Sequence, residues 1–136
     1  MRRQFQLPAE DTEYLEYCGF QWETVIENQV RRVVIYGSPV PPGYTVSTVD
    51  INLRIVDGYP DTQIDMAYFY PHLARSDGKV IGAAITSQPE CNFDGKIWQR
   101  WSRHRTGTNP WRPGLDNIDS HLLLVEDWLK REFNKG

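Results

Sequence analysis

The chemistry-bearing residues of this chain gather in one octapeptide, "WQRWSRHR" at 98–105, and in the thiol of Cys91 just before it. Ser102 and His104 stand two apart, so an extended segment would aim both side chains the same way. A hydroxyl becomes a useful nucleophile when a base takes its proton, and an imidazole in reach is the commonest base. Arg103 and Arg105 flank the pair and can stabilise a developing oxyanion. Cys91 is intrinsically the better nucleophile, but in "QPECNFDG" its neighbours Glu90 and Asp94 oppose a thiolate. Ser102 and Cys91 therefore both stand as candidate nucleophiles.

The same stretch admits a second chemistry. Between Trp98 and Arg112 lie four arginines and one histidine with no acid. Arginine grips phosphate bidentately and aromatic rings stack on bases, which would suit nucleic acid. The whole chain argues against it: 18 acidic residues outweigh 15 basic ones, for a net charge of −3. No global field drives such a protein onto DNA, RNA or an anionic membrane. Cys91, His72, His104 and His121 are the soft or imidazole ligands, and none pair at a metal-binding spacing, so no metal is expected. No glycine-rich phosphate loop occurs, and no cofactor is expected.

These residues need a scaffold. The 136 residues are enough for one domain, spanning 1–136, with a genuine core. Two cysteines make no disulfide framework, and reduced thiols suggest a cytoplasmic protein. The start "MRRQFQLPAEDTEY" has no apolar run behind its arginines, and no stretch approaches the roughly 18 apolar residues of a membrane span.

Residues 8–18 read as a short helix: Pro8 suits the first turn, Glu10 and Asp11 complement the dipole, and Gly19 suits a left-handed stop. Tyr14, Leu15 and Cys18 make its apolar stripe. "FQWETVIE" and "QVRRVVIYG" read as a hairpin. In "STVDINLRIV", Val49, Ile51, Leu53 and Ile55 alternate with Asp50, Asn52 and Arg54, which predicts a strand with one wet face. "DGYP" is a turn, and "IDMAYFY" a fourth strand. Residues 71–114 show no periodicity and form a long irregular loop of the kind that often carries function. Ile118, Leu122, Val125, Leu129 and Phe133 then mark an amphipathic helix, capped by Asp116 or Asn117, with His121 a partly buried spectator. The order is α+β: an N-terminal helix, a four-stranded antiparallel meander, a long loop holding the octapeptide, and a C-terminal helix.

That order resembles the ubiquitin-conjugating-enzyme superfamily, over nearly the whole chain from Leu7 to about Phe133. Tyr59-Pro60 is similar to the family's Tyr-Pro after the third strand. "FYPHL" at 69–73 falls where conjugating enzymes carry His-Pro-Asn, and "WRP" at 111–113 resembles their Trp-Ser-Pro. "VPPGY" at 40–44, "DMAYFYP" at 65–71 and "WQRWSRH" at 98–104 resemble a divergent bacterial branch. Its members look to be encoded beside a ubiquitin-like protein, an activating enzyme and a peptidase.

The resemblance implies an acyl carrier that accepts a ubiquitin-like protein from an activating enzyme and passes it to a protein target the sequence does not name. Antiphage defence is the role implied by analogy with related bacterial operons. Two departures matter. The asparagine of His-Pro-Asn is missing, and no cysteine stands at the family's position: eight residues back from Trp111 is Arg103, between Ser102 and His104. Ser102 is therefore expected to carry the acyl group as an oxyester, with His104 as base and then acid. Arg103 and Arg105 would hold the oxyanion or the glycyl tail, and Trp101 would line the substrate. Trp98 and Trp101 would also wedge the loop onto the sheet. Cys91 remains the alternative nucleophile. The departures equally allow a non-catalytic module that binds a ubiquitin-like protein or an activating enzyme. The family docks partners on its first helix, where Glu10, Glu13 and Glu16 here share an exposed face.

Overall fold

The computed structural model describes residues 1–134. The first helix, α1, runs Ala9–Tyr17 behind Pro8. It stops as its sequence dictates. Gly19 takes φ +73°, and the N–H groups of Gly19 and Phe20 bond back to Glu16 O (3.1 Å) and Leu15 O (3.3 Å), the paired bonds of a glycine-terminated helix. Leu15 is buried as expected, but Cys18 is exposed. The inward-facing partner of Leu15 is Asp11, one turn earlier. Its carboxylate accepts from Tyr59 Oη (2.6 Å) and from the Ile118 N–H (3.1 Å). Burial pushes the Asp11 pKa up, and those two hydrogen bonds oppose the shift.

Strands β1 (Gln21–Glu27) and β2 (Val30–Pro39) form the expected hairpin. Asn28 and Gln29 both have positive φ (51° and 66°), the geometry that matches a two-residue turn to strand twist. β3 (Thr48–Ile55) and β4 (Ala67–Tyr70) complete the antiparallel meander.

The region from 71 to 114 is more regular than its composition suggests. It contains β5 (Ala84–Ile85), a 3-10 turn at Pro89–Cys91, β6 (Asn92–Phe93), β7 (Lys96–Ile97) and β8 (Gln99–Trp101). Among the described residues the main sheet thus has six strands in the order β1-β2-β3-β4-β8-β5, with β6 and β7 a separate hairpin. The last helix, α2, spans Ile118–Arg131, and Asn117 is its cap: it accepts from the Ser120 N–H at 3.1 Å while Ser120 Oγ accepts from the Asn117 N–H at 2.9 Å.

Register places Val33 beside Leu53, Ile35 beside Ile51, Ile51 beside Phe69, and Ala67 beside Trp101. This face packs on Leu15 of α1 and on Ile118, Val125 and Leu129 of α2. The opposite face is not wet. Asn52 is fully buried, and Val25, Val34 and Tyr68 lie in a second apolar cluster under Phe93 and Trp98. The β6–β7 hairpin therefore covers the side of β3 that alternation assigns to water. Arg2 fastens this cover: its guanidinium reaches Glu23 (2.9 Å) and Asp94 (2.7 Å), and its hydrogen bonds hold the Glu23 carboxyl down at about 2.

His121 is completely buried on α2, its Nε2 against Met66 O at 2.8 Å. Burial drives its pKa down to about 4 from an ordinary 6.5, so the folded ring is neutral while the unfolded one takes up a proton. Stability should be unaffected above about pH 6.5 and fall as pH drops from there towards 4, by roughly 3 kcal/mol from this group. Denaturant melts at pH 7 and pH 4.5 check this: His121→Gln should flatten the difference.

Candidate active site

The octapeptide owes its position to alternation along one short strand. Gln99 and Trp101 point to the helix side and Trp98 and Arg100 to the covered side, as period-two geometry requires. Gln99 clamps the chain after β4, donating to Leu73 O (2.9 Å) and accepting from the Leu73 N–H (3.0 Å). Trp98 donates to Phe93 O at 3.1 Å and is buried. Trp101 has no exposed surface. Its Nε1 donates to Gln99 Oε1 at 3.0 Å, and its ring meets Phe69 edge-on at 5.7 Å. Trp101 is thus a core residue, with no face left from which to line a substrate.

Ser102 is the first residue past β8, partly exposed, its N–H bonded to Ala83 O at 2.8 Å. It lines an open groove of about 440 Å³ with Arg75, Lys79, Ala83, Arg103 and Glu132. Arg100 Nη2 donates to Ser102 Oγ at 3.2 Å, and Arg100 also pairs with Glu90. Arg100 was not among the expected site residues, although its spacing of two from Ser102 on an extended segment is the signal that finds it.

Of the two expected arginines, Arg103 stays in this groove but is paired there, and Arg105 is engaged elsewhere. Arg103 pairs with Glu132 at 3.1 Å, and Glu132 also faces Arg75 at 3.5 Å. Arg105 lies over the Trp111 ring at 4.9 Å and faces Asp116 at 3.8 Å, its side chain 6% exposed. Trp111 in turn donates to Pro60 O at 2.9 Å. Arg105 therefore ties the octapeptide to the Tyr59–Pro60 turn and to the start of α2, away from Ser102.

His104 is exposed, and its Nδ1 meets Asp65 Oδ1 at 2.8 Å. Among the described residues it shares no hydrogen bond with Ser102: β8 ends at Trp101, and the same-face rule ends with it. Asp65 lies 39 residues upstream, in the β3–β4 connection, a contact no local spacing could reveal. A carboxylate on Nδ1 favours the tautomer with its proton there, which leaves Nε2 as an acceptor and hence a base. His72 has its Nε2 2.8 Å from Ile97 O.

Cys91 has no exposed surface, and its Sγ approaches Ile85 O at 3.8 Å. A thiol so enclosed cannot meet a protein-sized acyl donor in this conformation. The other thiol, Cys18, is exposed at the end of α1.

A family model described as prokaryotic E2 family E matches residues 7–132 of the chain. No curated protein and no solved structure matches it. Among the described residues no helix is long and apolar enough to cross a membrane.

Proposed function

The chain belongs to prokaryotic E2 family E, and from that premise we propose that it carries the C-terminal acyl group of a ubiquitin-like protein as an oxyester on Ser102. A conjugating-enzyme-like role and a ubiquitin-conjugating-enzyme-like fold follow from the family. The observation that supports Ser102 is the contrast in access. Ser102 is partly exposed at the wall of a groove, and its Oγ accepts from the Arg100 guanidinium, while the Cys91 thiol is sealed.

In this reading the activating enzyme presents the acyl group as a thioester. Ser102 Oγ attacks the acyl carbon, the carbon–sulfur bond breaks, and the serine proton ends on the departing sulfur. His104 relays that proton through water and, when an amine of the target displaces the serine, takes up the amine's proton and passes one to Ser102 Oγ. Arg100, which donates to Ser102 Oγ, would place positive charge beside the reacting centre, where the acyl oxygen turns negative. The buried place of Arg105 removes it from this step.

The experiment is to mix the protein with its activating enzyme, ATP and the ubiquitin-like protein, then treat the products with thiol reductant or with hydroxide. A covalent band that resists reductant and opens with hydroxide is expected. The absence of any adduct would favour a non-catalytic binding module instead.

Asp65 acts through His104 and is a positioning residue. Asp65→Asn should slow adduct formation roughly tenfold to a hundredfold, part of the range a general base supplies. It should leave the melting temperature nearly unchanged, because the His104 and Asp65 side chains are both exposed. A purely structural role for Asp65 would lower the melting temperature along with the rate.

A further inference from the structure

The covered face of the sheet holds a polar layer that acyl transfer uses only through Arg100. Register sets Arg32 beside Arg54, Asn52 beside Tyr68, and Tyr68 beside Arg100. Arg54 and Asn52 share that face, two apart on β3. Arg32 is 3% exposed, and Asn52 and Tyr68 have no exposure at all. The Arg32 guanidinium lies 4.8 Å from the Tyr68 ring and 4.9 Å from the Phe93 ring, and its Nη2 donates to Glu90 O at 2.7 Å.

Most of the remaining polar atoms here have no partner among the described residues. The unpaired donors are Arg32 Nε and Nη1, Arg54 Nε, Arg100 Nε and Asn52 Nδ2. Against these five nitrogens stands one unpaired carbonyl, Asn52 Oδ1; the Tyr68 hydroxyl faces the Arg54 guanidinium, which leaves its own proton to donate. The nearby acids are committed: Glu90 pairs with Arg100, and Glu27 accepts from the Asp94 N–H.

A buried unpaired donor is costly, and a buried unpaired charge more so. Burial pushes the Arg32 pKa down, yet a guanidinium starts so far above neutrality that it stays charged. Water satisfies such a site poorly, since it must donate as well as accept and the layer offers few acceptors. An occupant that only accepts, and that carries negative charge, fits both the donor excess and the charge.

We propose that the covered face of the sheet binds a small monovalent inorganic anion of halide size, held by Arg32, Arg54, Asn52 and Tyr68. The enclosing rings of Phe93 and Trp98, 2% and 1% exposed, favour a single-atom ion over a bulky one. The anion would join the Pro89–Trp98 cover to the strands beneath it and stabilise the face opposite the helices.

The test is thermal melting at constant ionic strength, with gluconate replaced stepwise by bromide. A saturable rise in melting temperature is expected. In Arg54→Gln, a partly exposed position, half-saturation should need about tenfold more bromide, the loss expected for one charged hydrogen bond. Crystals of the unmodified protein grown in bromide should show an anomalous peak within hydrogen-bond distance of Arg32 Nε, a readout independent of whether the variant folds. Melting temperatures indifferent to the exchange, with no bromide peak at Arg32, would overturn the proposal.

Discussion

Ser102→Ala should abolish the covalent adduct with the ubiquitin-like protein while leaving the fold intact. The expected loss in adduct formation is at least about a thousandfold, since the acceptor atom itself is gone and only binding remains. The fold should tolerate the change because Ser102 is partly exposed and its side chain receives one hydrogen bond, from Arg100 at 3.2 Å; its backbone bond to Ala83 O survives any substitution but proline. Cys91→Ala in the same assay should leave the adduct in place. Gel analysis of both variants after identical incubation reads the difference, with circular dichroism as the check on folding.

Trp101→Ala should cost about 3–5 kcal/mol of stability, the range for removing a large aromatic side chain from a core. Trp101 is fully buried where β8 crosses between β4 and β5, packed on Phe69 and Tyr44. Its loss also frees the Gln99 Oε1 that it shares with the Leu73 N–H. For a domain of this size the melting temperature should fall by roughly 10–20 °C. A residue lining a substrate groove would instead weaken transfer and leave melting nearly unchanged, so one calorimetric scan separates the two roles.

The local signals in the chain specify the elements they touch. The proline and glycine around α1, the two positive-φ residues of the β1–β2 turn, and the apolar stripe of α2 all act within a few residues, and those elements stand where the pattern puts them. β5 and β8 were hidden because they are two and three residues long, and because β8 finds its partner far away, with Trp101 opposite Ala67. The face of β3 bearing Asn52 and Arg54 reads as solvated only while the chain that covers it, Phe93 to Trp98, is out of view.

The site was legible in the same uneven way. Ser102 is accessible, and its cationic neighbour lies two residues back. The partner of His104 is Asp65, and Arg105 answers to Trp111 and Asp116. These are tertiary pairings, invisible to spacing. The burial of Cys91 follows likewise from the Pro89–Cys91 turn packing beneath the sheet's far edge, not from its polar neighbours in sequence.

If oxygen, not sulfur, carries the acyl group, Ser102→Cys should change how the bond breaks. The adduct of the unmodified protein should survive thiol reductant. The adduct of Ser102→Cys, made alongside Cys18→Ala so that the exposed thiol does not interfere, should be cleaved by it, because the ester has become a thioester at the same position. An adduct on the unmodified protein that reductant cleaves, and that disappears in Cys91→Ala, would show that sulfur at Cys91 carries the acyl group instead.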